Sequence, residues 1–193
     1  MTVIAAALTK KDGIVIVGDS SVTGGFSKDE DGYNKLWVEK ENGQFIFGGC
    51  GGVRPMQVIK HWISWPYYRD NMSLEEFAVK EVVPLVRDAL KDHGALLVDQ
   101  ETLSESFDGA FVMAWANNLI VIDEDFSVMI PHSNRAAIGS GMSEAMGALG
   151  NKGPWTKGQV ISSVKKSAAT AIGVGGPLWV ATTNSMSVTL VEQ

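Results

Sequence analysis

The stretch MTVIAAALTKKDGIVIVGDSS, residues 1–21, decides how the chain folds. Val3 to Leu8 is apolar and partly β-branched, Ile14 to Val17 is an unbroken β-branched run, and Lys10 to Gly13 between them has the composition of a hairpin turn. Neither run alternates with polar residues, so the hairpin is expected to be buried on both faces. Strands of that kind need cover on both sides. The glycine-rich and acidic stretch 24–32, including KDEDG at 28–32, reads as a solvated loop. After it, KLWVEK and QFIFGG flank ENG and form a second hairpin.

From Val53 the period changes. Met56, Ile59 and Ile63 follow helical spacing, and Leu74, Phe77, Ala78, Val82, Leu85, Val86 and Leu90 recur every three or four residues. Ser73 with Glu75 and Glu76 suits the start of that second helix, Gly94 its end, and Pro84 should kink it. A third hairpin is expected from GAFVMAWA and NLIVIDED around Asn117 and Asn118. SVMIPHS and RAAIGSG give short strands, MSEAMGALG and KGQVISSVKKSAATAIG give helices, and LWVATT with SMSVTLVEQ closes the chain as a hairpin around Thr183 to Ser185. No disordered linker and no repeat divides residues 1–193, which reads as one domain. Hairpin-linked strands with two separate pairs of helices predict an α+β fold, a four-layer αββα sandwich of two antiparallel sheets covered by helices. Periodicity alone also fits a single mixed sheet covered by helices; the strand count favours two sheets.

The chain has 193 residues, 45% of them hydrophobic, enough for one sizeable core without metal or disulfide staples. A net charge of -6 with scattered Lys and Arg gives no footprint for nucleic acid. The one cysteine, Cys50, has no intramolecular partner for a disulfide, which suits a reducing cytoplasm. No apolar run approaches the ~20 residues that span a bilayer. His61, His93 and His132 lie in separate regions without metal-ligand spacing, and no metal or other cofactor is expected. GGCGG at 48–52 lacks the lysine-hydroxyl ending of a phosphate loop, and Cys50 inside it reads as a small packed residue. HWISWPYY at 61–68 reads either as a packed helix end or as an exposed subunit contact.

Taken together, Thr2 heading the first strand, VGDSS at 17–21, Lys35 heading the third strand, FGGCGG at 47–52 and AIGSG at 137–141 resemble the proteasome β-subunit superfamily of N-terminal nucleophile (Ntn) hydrolases, most closely its HslV peptidases. The likeness covers essentially the whole chain. It implies the αββα Ntn-hydrolase fold and a threonine-type endopeptidase that works inside stacked rings of its own copies, fed with unfolded protein by an ATPase unfoldase.

The resemblance also assigns roles. Removal of Met1 would expose Thr2, whose hydroxyl attacks the peptide carbonyl while its α-amine, ordinarily titrating near 7.7–8.0, takes the proton. Lys35 would lower that amine's pKa, Asp19 would fix and neutralise Lys35, and the Gly51 N–H would receive the oxyanion. Ser140 would hydrogen-bond the amine. The superfamily also carries an aspartate on the last helix; here Thr170 or Ala171 stands at that place, and Thr170 is expected to supply hydrogen bonding without charge. Two other readings remain open: a catalytically silent assembly or scaffold subunit, and an Ntn amidase for small amides.

Overall fold

The computed structural model describes residues 1–24, 27–29, 33–69 and 71–191. The first hairpin forms as its composition demands: β1 (Ile4–Leu8) and β2 (Ile14–Gly18) pair antiparallel, with Ile4 opposite Gly18 and Leu8 opposite Ile14. Two short strands follow, β3 (Val22–Gly24) and β4 (Ser27–Asp29), paired with each other. They correct the reading of 24–32 as loop; the remainder of that stretch, residues 25, 26 and 30–32, lies outside the described residues. The second hairpin is β5 (Leu36–Glu39) with β6 (Phe45–Gly51).

Helix α1 (Val53–Trp62) comes next, then one long helical segment made of α2 (Leu74–Phe77), a π-helical turn (Ala78–Val82) and α3 (Val83–Asp92). Ser73 and Glu76 close a reciprocal capping box at its start. The break expected at Pro84 takes the form of that π turn, which shifts the hydrogen-bond register just ahead of a residue that has no N–H to give. A small ribbon, β7 (Leu97–Val98) with β8 (Glu105–Ser106), precedes the hairpin β9 (Gly109–Trp115) and β10 (Asn118–Ile122). The turn of that hairpin falls on Ala116 and Asn117, one residue earlier than expected, with Ala116 at φ 47°. The chain ends with β11 (Val128–Met129), β12 (Arg135–Ile138), α4 (Met142–Leu149), α5 (Lys157–Thr170), β13 (Trp179–Thr182) and β14 (Ser187–Leu190).

Two five-stranded antiparallel sheets result, ordered β12-β1-β2-β13-β14 and β11-β10-β9-β6-β5. Between them pack Ile4, Ile16, Leu36, Ile46, Val112 and Ala181. The outer face of the first sheet, carrying Val3, Ala5, Val15 and Val17, is covered by Val160 and Val164 of α5 and by Ala145 of α4. The outer face of the second, carrying Phe45, Phe47 and Phe111, is covered by Met56 and Ile59 of α1 and Val86 and Leu90 of α3. Three apolar layers between four structural layers are what strands buried on both faces require. This is the αββα sandwich.

The aromatic stretch at 61–68 divides between its two readings. Trp65 is buried, with its ring 4.6 Å from that of Phe47, whereas Trp62 and Tyr67 are exposed and Trp62 lies against His93.

Candidate active site

One end of the sandwich gathers residues that are far apart in the chain. Thr2 precedes β1, Asp19 follows β2, Lys35 precedes β5, Gly51 ends β6, and Ser140 lies in the turn between β12 and α4. Antiparallel pairing of β1 with both β2 and β12 brings the Thr2, Asp19 and Ser140 segments side by side, while Lys35 and Gly51 come from the facing sheet.

Asp19 is fully buried and its carboxylate is saturated with donors. Oδ1 accepts the Lys35 ammonium at 2.8 Å and the Val3 N–H at 3.0 Å, and Oδ2 accepts the Gly175 N–H at 3.2 Å. Lys35 donates a further bond to the Ser21 carbonyl at 2.6 Å. A buried ion pair is sustained by such additional hydrogen bonds, here two backbone donors to the carboxylate and one backbone acceptor for the ammonium. Burial pushes the Lys35 ammonium below the ordinary lysine value, and the Asp19 carboxylate pulls in the opposite direction.

Thr2 is 7% exposed and is held from its other side by the turn 139–141. Its N–H donates to Ser140 Oγ at 3.2 Å, its carbonyl accepts the Gly141 N–H at 3.2 Å, and Ser140 Oγ also lies 3.3 Å from that carbonyl. Gly139 adopts φ +87°, and a β-carbon there would fall 2.3 Å from the Thr2 carbonyl oxygen, so the turn closes on Thr2 only with glycine at 139.

Two cavities flank Thr2. One, of about 220 Å³, is bounded by Lys35, Tyr33, Ser21, Met56 and Gly51; the other, of about 320 Å³, by Ser140, Asp108, Asp123, Glu124 and Gly51. Gly51 borders both and has φ +99°. Met1 borders both as well. Its side chain lies over Gly173, where a β-carbon would come within 2.6 Å of the methionine Cε. Burial, and after it the positive charge of Lys35, holds the Met1 amine below its ordinary value.

Sequence reading therefore named five residues, and all five meet at one place. It missed the Gly175 N–H and the Ser21 carbonyl, which act through backbone groups that every residue carries, and Asp108, which borders both cavities. Thr170 does not reach Thr2. It is exposed, and its hydroxyl donates to Lys166 and Ser167 carbonyls of its own helix, as short hydroxyl side chains do.

No protein-family model and no curated protein matches this chain. Solved structures do. The BPH protein of Thiobacillus denitrificans, solved in complex with epoxomicin, superposes with a TM-score of 0.72 at 16% identity, over 99% of this chain and 100% of that one. The chain has the Ntn-hydrolase fold. Eukaryotic HslV from Trypanosoma brucei shares this Ntn-hydrolase fold, with a TM-score of 0.62 at 17% identity over 93% of this chain and 98% of its own. So does Anbu from Pseudomonas aeruginosa, solved as a helical assembly, with a TM-score of 0.65 at 17% identity over 99% and 87% of the two chains. Among the described residues, no helix is long and apolar enough to cross a membrane.

Proposed function

We propose that the chain is a threonine-type endopeptidase that folds as one domain and works as a subunit of a proteasome-like or HslV-like homo-oligomer in the cytoplasm. The observation that carries this reading is the convergence on Thr2 of a buried lysine–aspartate pair on one side and a serine hydroxyl on the other. Once Met1 is removed, the Thr2 α-amine lies beside Ser140 and takes the proton from Thr2 Oγ1 as that oxygen attacks a peptide carbonyl. Lys35 disfavours a proton on the amine and favours negative charge on the attacking oxygen. The Gly51 N–H receives the oxyanion, a donor of a kind whose loss typically costs about 3–4 kcal/mol of barrier. The amine then returns its proton to the leaving nitrogen, and water releases the acyl group. Peptides or unfolded proteins are the substrates in this reading, delivered to the assembly by an ATPase unfoldase.

The intact mass of the purified protein, before and after exposure to epoxomicin, tests this. Loss of one methionine and a single adduct that disappears in Thr2→Ala supports the peptidase. A mass that retains Met1 and gains no adduct overturns it and favours a second reading, a catalytically silent assembly subunit. One observation favours that alternative: the Thr170 hydroxyl is spent on its own helix.

A further inference from the structure

Of the four hydroxyl residues in helix α5, Ser163, Ser167 and Thr170 make hydrogen bonds that can be compared directly. Ser163 donates to the Val160 carbonyl at 2.7 Å and Thr170 to those of Lys166 and Ser167, both within the helix. Ser167 is fully buried, yet its Oγ leaves the helix and donates to the Gly141 carbonyl at 2.8 Å, 26 residues earlier in the chain. Back-bonding to the preceding turn is the ordinary fate of a helical serine. The departure at 167 falls on the one carbonyl that adjoins the Thr2 clamp.

That carbonyl already accepts the Ala145 N–H at 3.2 Å as the first turn of α4 begins, and the N–H of the same residue, Gly141, donates to the Thr2 carbonyl. Ser167 is thus the second donor on the Gly141–Met142 peptide, which is joined through the Gly141 Cα to the Ser140–Gly141 peptide whose N–H holds the Thr2 carbonyl, and Ser140 is the hydroxyl facing the Thr2 nitrogen. We infer that Ser167 is a positioning residue for the amine base: by anchoring the 139–141 turn it holds Ser140 and the Thr2 backbone in register with each other. The inference rests on the reading of Thr2 as nucleophile.

Reaction of the full-length, methionine-processed protein with epoxomicin separates binding from chemistry, because the apparent inhibitor affinity and the maximal rate of adduct formation are read independently. Ser167→Ala is expected to lower the maximal rate about tenfold, in line with the cost of small misplacements of reacting groups, with affinity changed less than about twofold. Ser167→Thr, which keeps the hydroxyl, is expected to recover most of the rate. Ser167→Cys, close in volume but a weak donor, replaces the alanine variant if that one fails to fold, and should behave like it. A reactive wild type with an unchanged rate in Ser167→Ala overturns the inference alone, as does a threonine variant as slow as the alanine one. An unreactive, processed wild type removes the Thr2 reading itself, and the positioning role with it.

Discussion

Lys35 and Asp19 form an ion pair at 2.8 Å in which the carboxylate is fully buried and the lysine is 6% exposed. Removing the lysine alone leaves a buried charge with only two backbone donors. Lys35→Met is therefore expected to destabilise the fold by about 3–5 kcal/mol, the usual cost of orphaning one member of such a pair. Replacing both, as Asp19→Asn with Lys35→Met, should recover a large part of that loss while leaving epoxomicin modification abolished. Denaturant unfolding of the two variants, beside intact-mass measurement of the adduct, separates the structural use of the pair from its chemical one.

The α-amine at this end of the chain sits below 8.0, first because it is partly buried and then because Lys35 is close. If Met1 is removed, the Thr2 amine of the proposed peptidase lies in the same cavity wall beside Lys35 and is expected to be depressed by the same two causes. A base must be unprotonated to accept a proton, so a depressed pKa extends the reactive range towards lower pH. In the processed wild type, acylation of the amine by a succinimidyl ester should titrate below pH 8.0. In Lys35→Met the titration should move to higher pH, because the repelling cation is gone and the attracting Asp19 is left. A titration that stays put or moves lower contradicts the electrostatic role given to Lys35.

At Gly139 the left-handed backbone and the 2.3 Å approach to the Thr2 carbonyl act together. Gly139→Ala carries about 1–3 kcal/mol of backbone strain and must also push Thr2 away. The expected result is a lowered melting temperature with adduct formation falling more steeply than stability. Gly147, inside α4 and with nothing within 4 Å of an added β-carbon, is the control position, and Gly147→Ala should leave adduct formation unchanged while raising stability by up to about 1 kcal/mol through helix propensity.

Cys50 borders both cavities but is 8% exposed, and burial pushes its thiol from 9.0 up to about 11. A thiol held there carries about one-hundredth of the thiolate that an ordinary cysteine has at neutral pH. Native protein should thus react with a disulfide reagent about a hundredfold more slowly than denatured protein, and prior treatment with the reagent should leave epoxomicin modification intact. Rapid labelling of the native thiol would contradict this packed, protonated state.

Much of this was legible in the sequence because burial leaves a direct trace there. β1, β2, β6 and β9 hold no polar side chain and β10 only Asn118 at its start, the composition expected of strands covered on both faces. The two small ribbons escaped notice because Ser27–Asp29 and Glu105–Ser106 are polar and lie outside the main sheets, where no periodic burial marks them. At the site, Asp19, Lys35 and Ser140 were picked out by the resemblance of the motifs that carry them, since each alone reads as an ordinary turn or strand-end residue. Gly175 and Ser21 contribute an N–H and a carbonyl, which sequence does not distinguish from any other. Thr170 failed as an expectation because its own helix offers its hydroxyl a nearer acceptor.

The donors around Asp19 have a consequence for a chain still being made. Gly175 is 156 residues from Asp19, and Ser140 is 138 from Thr2. Contacts of such long sequence separation form only after most of the polypeptide is present. A nascent chain emerging from the ribosome would hold Thr2, Asp19 and Lys35 well before either of those partners exists. The hydrogen bonds around Thr2 and Asp19 would remain incomplete until translation is nearly finished, so a truncated chain lacks the contacts that tie this end of the sandwich together.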